Sequence, residues 1–391
     1  LFVSHLLNNR DAGKENDSYF GDLPHQLNKL GFKVGIVLIN HSDLKTKEAV
    51  DKWRNSEIPR FIFSPILPIK TEVAMLSRLR KESKKLKVKA SSLDEGFLKE
   101  ITKNASNQAT TSFTQTTYRL GPQIAKLIAD FKPGTIVTTF EGHAWERIIY
   151  SSARRVNSKT QCVGYQHASI FKLQHAIRRN LKPEYNPDVI LTAGSLGKEQ
   201  LKSLKSYKSM QIEVLGSDRG FVEKTQTNLT NLPDISKECC LVLPEGDLEE
   251  CKILFEYSIE CAWSCPNIRF IWRLHPILSF ENFFKKYPNL SKYPQNIIVS
   301  NNSLNEDIEQ SCMVLYRGTT AVIQSIKGGL IPLYLNIPGE MVIDPLYDIC
   351  HGKGVLKTQA DFKYFIENIS NFVKVNHSER IDLLKYCEAY Y

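Results

Sequence analysis

Two short stretches hold most of the groups in this chain that could bind an anion. Arg273-Leu274-His275-Pro276 follows the apolar run Phe270-Ile271-Trp272, and Arg317-Gly318-Thr319-Thr320 follows Cys312 to Tyr316. Each apolar run predicts a strand, so each polar cluster predicts a turn at a strand's carboxyl end, with a helix opening at Ala321 after the second. Open parallel sheets bind ligands outside those ends. Together the two turns supply two guanidinium groups, an imidazole, two hydroxyls and the N–H groups of a helix start, which suits a phosphate. Each piece also has a plain structural role. His-Pro makes a turn because proline disfavours helical geometry in the residue before it, and Thr is a good helix N-cap. Their occurrence at consecutive strand ends in one half of the chain is what points to phosphate or nucleotide binding.

A second set lies earlier in the chain. The β-branched run Thr135 to Phe140 predicts a buried strand that delivers Glu141-Gly142-His143-Ala144-Trp145-Glu146-Arg147 at its carboxyl end. An acid there, beside a glycine that lets a ligand approach, is a candidate general base. The structural alternative is a carboxylate complementing a helix dipole, for which Glu146 is better placed. The next strand, Thr160 to Tyr165, ends in Gln166-His167 and shares a predicted rim with Glu141. A strand beginning near Ile212 ends in Gly216-Ser217-Asp218-Arg219. Asp218 either reaches a ligand from there or serves its own turn, pairing with Arg219 or the local backbone.

These rims need parallel sheets to carry them, and the pattern supplies two. A strand stub at Leu1 to Ser4, a polar loop from Asn8 to Lys14, a helix through Leu23, Leu27 and Leu30, and a strand at Lys33 to Ile39 form a βαβ opening. No G-x-G-x-x-G fingerprint accompanies it, which argues against a classical dinucleotide site. Residues 45–107 carry a weaker signal: a short strand at Phe61 to Phe63 and a basic run from Arg78 to Lys89. Such a run is ordinarily a solvated helix face, and the alternative is a surface for an anionic membrane or lipid-linked acceptor. A long helix is predicted from Thr114 to Phe131. Thr225 to Lys237 reads as a linker, after which Cys240-Leu241-Val242-Leu243-Pro244-Glu245-Gly246 and a helix from Asp247 open a second α/β unit. The expectation is an α/β protein of two Rossmann-like, doubly wound domains facing a central cleft: an N-terminal domain at 1–222, a linker at 223–238 and a C-terminal domain at 239–391.

Composition bounds the possibilities. At 391 residues the chain exceeds one ordinary core, and with 42% hydrophobic and 24% charged residues it reads as a globular protein. No run approaches a membrane span, and the opening residues do not read as a signal peptide. The first residue is Leu1, as expected if part of the natural start, or a preceding domain, lies outside this sequence. Nine cysteines without metal-like or disulfide-framework spacing fit a reducing cytoplasm. A formal charge of +9 favours anionic partners, and no nucleic-acid-binding motif is present.

The order Glu141-Gly142-His143, Gln166-His167, Gly216-Ser217-x-Arg219, Arg273-x-His275-Pro276 and the hydroxyl-bearing turn Arg317 to Thr320 resembles GT-B glycosyltransferases that use CMP-activated acid sugars. Within these it is most similar to the bacterial retaining β-Kdo transferases of capsule-linker and O-antigen polysaccharide synthesis. The likeness covers roughly residues 135–335 in pattern. It implies a metal-independent enzyme without cofactor whose donor, CMP-β-Kdo, is held mainly by the second domain. His275, Pro276, Thr319 and Thr320 would contact the CMP phosphate, with Arg273, Arg317 and Gly318 beside them and Glu245 and Gly246 near the nucleoside. The acceptor, lipid-linked or an oligosaccharide, would sit on the first domain with His143, Gln166, His167, Ser217 and Arg219 as substrate contacts. Here Arg317-Gly318-Thr319-Thr320 stands where the family has a Ser-Ser turn, which leaves open which hydroxyl acts.

If the product keeps the donor's configuration, two inversions are the simplest route, and the same logic governs retaining hydrolases. Asp218 is the candidate nucleophile and Glu141 the candidate acid/base, with Glu245 in reserve. The resemblance implies a cytoplasmic location, with peripheral contact at the inner membrane. An inverting sialyltransferase-like enzyme, a CDP-polyol phosphotransferase and a non-catalytic GT-B binding module are the competing readings.

Overall fold

The computed structural model describes residues 1–179, 181–217 and 233–391. It contains two parallel-sheet α/β units, and the reason for each sheet is visible in its strands. The first begins with β1 (Phe2–Leu6), α1 (Leu23–Lys29), β2 (Ile36–Asn40), α2 (Thr46–Asp51) and β3 (Arg60–Ile62). Three consecutive helices follow: α3 (Ile69–Ser91), α4 (Phe97–Gln108) and α5 (Ser112–Phe131). The chain then returns through β4 (Thr135–Thr139), α6 (Ala144–Val156), β5 (Gln161–Gln166), β6 (Val189–Thr192), α7 (Ser195–Lys202) and β7 (Gln211–Val214). The seven strands lie in the order β3-β2-β1-β4-β5-β6-β7, with β1 parallel to both β2 and β4.

The second sheet is built from β8 (Cys239–Leu243), α8 (Leu248–Ser264), β9 (Arg269–Trp272), α9 (Phe280–Lys286) and β10 (Ile297–Val299). It continues with α10 (Leu304–Glu309), β11 (Met313–Tyr316), α11 (Ala321–Lys327), β12 (Ile331–Leu335) and β13 (Gly354–Leu356). Helices α12 (Gln359–Glu367), α13 (Ile369–Val375) and α14 (His377–Glu388) close the chain. The order β10-β9-β8-β11-β12-β13 is parallel throughout. Strands β8, β11 and β12 are buried along their whole length, which is why they read as unbroken apolar runs rather than alternating ones.

Both sheets reverse their strand order once, between β1 and β4 in the first and between β8 and β11 in the second. The crevice at the carboxyl ends of such a switch point is where doubly wound folds hold ligands.

The two compact units interleave along the chain. One unit comprises residues 1–167, 176–191 and 205–213, and the other 168–175, 192–204 and 214–391. The physical cause is local. The Leu196 N–H donates to the Ala389 carbonyl at 2.9 Å, and a Cβ on Gly194 would lie 2.4 Å from that oxygen. These contacts fix the start of α7 to the end of the chain. Most of the expected linker lies outside the described residues.

Candidate functional site

At the first switch point, register alone assembles the rim. Thr139 pairs with Tyr165, so two residues further on Glu141 stands opposite His167. Val3 pairs with Thr138, which brings the end of β1, with His5, beside the same turn. The side chains follow. Glu141 Oε1 lies 3.4 Å from His167 Nε2 and Oε2 lies 3.5 Å from His143 Nε2. His5 Nδ1 and His41 Nε2 are 2.9 Å apart, and the His5 ring meets Trp145 and Tyr19 edge to face. Tyr19 also stands edge-on to His167.

Tyr19 is held in turn by Asp17, whose Oδ1 accepts from the Tyr19 and Phe20 N–H groups and from Ser4 Oγ. Gly142 has φ +82, and a Cβ there would meet the Ala176 and Ile177 backbone at 2.4 Å. The turn that presents Glu141 therefore requires glycine.

The charges on this rim are set by its own members. Burial pushes the Glu141 carboxyl upward, but the hydrogen bond with His143 and the positive potential of His167 and His143 outweigh it, leaving its pKa below the ordinary value. The bond to Glu141 raises the His143 pKa above that of a free imidazole. His5 is lowered to about 3 by burial and by its histidine neighbours, so it is neutral at physiological pH. Glu146 is fully buried, which pushes its carboxyl up to about 8. It holds the turn from below: its Oε1 accepts the Glu141 N–H at 2.9 Å. The rim thus combines an ionised carboxylate, two imidazoles in contact with it, and a protonated acid beneath, an arrangement able to take a proton from a hydroxyl.

The second switch point is built by the same register logic. Tyr316 pairs with Leu243, so Gly318 stands opposite Glu245, and Val242 pairs with Trp272, so His275 lies on the other side of Glu245. A Cβ on Gly318 would come within 2.6 Å of Glu245 Oε2, and one on Gly246 within 3.3 Å of the His275 ring. The two glycines let a carboxylate and an imidazole lie flat on neighbouring backbone. The Ile277 N–H donates to His275 Nδ1 at 3.3 Å, which leaves Nε2 to carry the ring proton. Pro276 is exposed beside it.

Thr319 Oγ1 accepts from the Ala321 N–H at 3.3 Å, using one of the helix-start donors internally. Thr320 occupies the cap position of α11, a helix of seven residues, without a side-chain capping bond.

The two arginines of these turns are engaged within the fold. Arg273 Nη1 donates to Asp307 at 2.9 Å, and Asp307 is fully buried and also accepts from Ser300 and Asn302. Arg317 is buried and donates to Glu250 at 2.7 Å and to Glu340. Each turn therefore offers less open positive charge than its sequence suggests. Gln166 is buried at the end of β5. Ser217 follows Gly216, which has φ +94, and Asp218 and Arg219 lie outside the described residues.

His5, His41, Tyr19 and Trp145 join the first rim although sequence reasoning did not select them. The signal was positional: His5 sits at the carboxyl end of a strand adjoining the switch point. Among the described residues no group of three or more His, Cys, Asp or Glu side chains is arranged to hold a metal ion.

The sequence matches no protein-family profile and no curated protein sequence. Solved structures do match in shape. The glycosyltransferase of kitacinnamycin superposes with a TM-score of 0.54 at 10% identity, over 99% of this chain and 95% of that one. The chain has the GT-B fold. The calicheamicin glycosyltransferase CalG4 gives 0.51 at 10% identity, over 99% and 93%. A UDP-GlcNAc 2-epimerase from Neisseria meningitidis, bound to UDP-GlcNAc, gives 0.55 at 11% identity, over 97% and 94%. Proteins of this fold thus include both transferases and epimerases, so the fold by itself does not assign a function.

Proposed function

We propose that this protein is a glycosyltransferase that moves Kdo from CMP-β-Kdo to a hydroxyl of a bacterial surface polysaccharide precursor. The observation that carries the reading is Glu141, a carboxylate kept ionised between His143 and His167 at the first switch point. Activation of an acceptor hydroxyl needs such a base. The donor assignment draws on the order of the motifs: a His-Pro turn beside a small hydroxyl-bearing turn at the second switch point. The GT-B neighbours support a sugar-nucleotide ligand in general, and the Neisseria epimerase is itself bound to UDP-GlcNAc.

In the proposed reaction the nucleophile, assigned to Asp218 by its place in the sequence, attacks the anomeric carbon. The bond to the phosphate oxygen breaks and CMP leaves with the electron pair. The acceptor hydroxyl, losing its proton to Glu141, then displaces the carboxylate, and the second inversion restores the donor's configuration. His275 Nε2–H and the Thr319–Thr320 hydroxyls would face the phosphate of CMP.

Intact-mass analysis of the parent, Asp218→Asn and Glu141→Gln proteins, incubated with CMP-Kdo generated in place and an acceptor, tests the reading. A Kdo-sized adduct lost on changing residue 218 supports double displacement. Normal transfer by Asp218→Asn without an adduct would move the nucleophile to Glu245 or make the reaction inverting. CMP release with a phosphopolyol transferred from a CDP-polyol would make it a phosphotransferase. No nucleotide release from any donor would leave a binding module.

A further inference from the structure

Two acids meet one cation at the end of β11. Arg317 is 3% exposed. Its Nη1 donates to Glu250 at 2.7 Å and its Nη2 to Glu340, while its Nε is buried without a hydrogen-bond partner. Nη2 and Nε are the two donors on one side edge of a guanidinium, and an oxyanion can grip such an edge with two oxygens. Glu340 takes half of that edge and leaves the other half unused. It belongs to the exposed stretch 338–342, which is anchored at both ends. The Asn336 N–H donates to the Leu356 carbonyl at 2.8 Å, and Asp344 accepts from the Tyr316 hydroxyl at 3.0 Å, from the Leu346 N–H and from Lys353. This strap crosses the turn at the second switch point: a Cβ on Gly318 would lie 3.0 Å from Ile343 Cδ1. Burial raises the Glu250 pKa although Arg317 opposes it, and the charge of Glu340 adds to the rise, as expected where one guanidinium serves two carboxylates.

We infer that Glu340 is an internal stand-in for a phosphate group. A nucleotide phosphate entering the second switch point displaces it and takes Nη2 and Nε of Arg317 together, while Glu250 keeps the guanidinium in place through Nη1. Glu340 is thereby a specificity-determining residue. A phosphate that grips two donors displaces a carboxylate that grips one, whereas an uncharged nucleoside leaves the strap latched. The displaced side chain, 45% exposed already, moves into water, and a surface ion pair of this kind costs little to break. The inference rests on the reading of this turn as the nucleotide site.

Calorimetry of the full chain with CMP and with cytidine tests it. Glu340→Gln is expected to bind CMP about tenfold more tightly than the parent, and cytidine no differently. Glu340→Ser, too short to reach Arg317, is expected to give the same gain. Glu367→Gln, which removes the same charge from the exposed end of α12, is expected to change neither affinity. In an Arg317→Lys background, which keeps the charge and loses the fork, the gain from Glu340→Gln should disappear. A CMP affinity that both variants at 340 lower or leave unchanged overturns the proposal alone, as does an equal gain for cytidine or an equal gain from Glu367→Gln. Failure of the parent and of every variant to bind CMP overturns it together with the nucleotide-site reading.

Discussion

The two switch points solve the same placement problem with opposite materials. At the first, titratable groups crowd together and set one another's charge: Glu141 lies between two imidazoles, over a protonated Glu146. At the second, the nearby arginines are spent on Asp307, Glu250 and Glu340, and what remains is two glycines, two threonines, the Glu245 carboxylate and one imidazole. On the proposed reading the first moves a proton and the second admits a ligand closely. A rim that exchanges protons needs coupled acids and bases; one that grips a phosphate needs fixed donors and room for backbone approach.

That division can be broken experimentally. Glu141→Gln should lower turnover by about 10²–10⁴-fold, as loss of a general base does, while nucleotide affinity by calorimetry stays within about twofold. Equal loss of both would show that the two rims do not divide the work.

Asp307→Ala should leave Arg273 facing a vacated buried site and cost about 3 kcal/mol of stability, read by urea unfolding. A cost near zero would mean that Arg273 is free to serve a ligand after all. Gly318→Ala puts a methyl group against Glu245 and should weaken nucleotide binding about tenfold, from strain of about 1–3 kcal/mol. Unchanged affinity would remove this turn from the donor site.

A further break concerns the acid beneath the first rim, Glu146. Its folded pKa is raised from 4.5 to about 8, so the folded state keeps a proton that the unfolded chain loses. The stability linked to that proton is complete below the unfolded value and is lost as pH rises toward 8. Glu146→Gln removes this dependence, and its melting temperature relative to the parent should therefore climb between pH 5 and pH 8. A difference that stays flat would mean that Glu146 is ionised in the folded protein.

Much of the architecture was legible because fully buried parallel strands are unbroken apolar runs. Cys239–Leu243 and Met313–Tyr316 announce themselves, and the polar turn after each strand could be located from its end. Glu141, His143 and His167 were readable for that reason. Strands β10 and β13, of three residues each, carry too little pattern to stand out. Helix α4 was hidden because its apolar residues Phe97, Leu98 and Ile101 are exposed and answer to no core. His5 was missed because a strand read as stopping at Ser4 puts it in a loop. The pairing of Arg317 could not be read either, since Glu250 and Glu340 lie 67 and 23 positions away, and only the tertiary fold selects them from the other acids.

The interleaving of the chain bears on how the protein is made. The second unit takes in residues 168–175 and 192–204, which are made midway through synthesis, yet the start of α7 is bonded to Ala389, almost the last residue made. Loop closure over such separations is slow, because its entropy is lost before the contacts reward it. These segments must therefore wait, unsatisfied, while residues 205–391 are made. The first unit, by contrast, has all its residues by position 213, and a nascent chain halted after that point already contains everything that Glu141 and its histidines require.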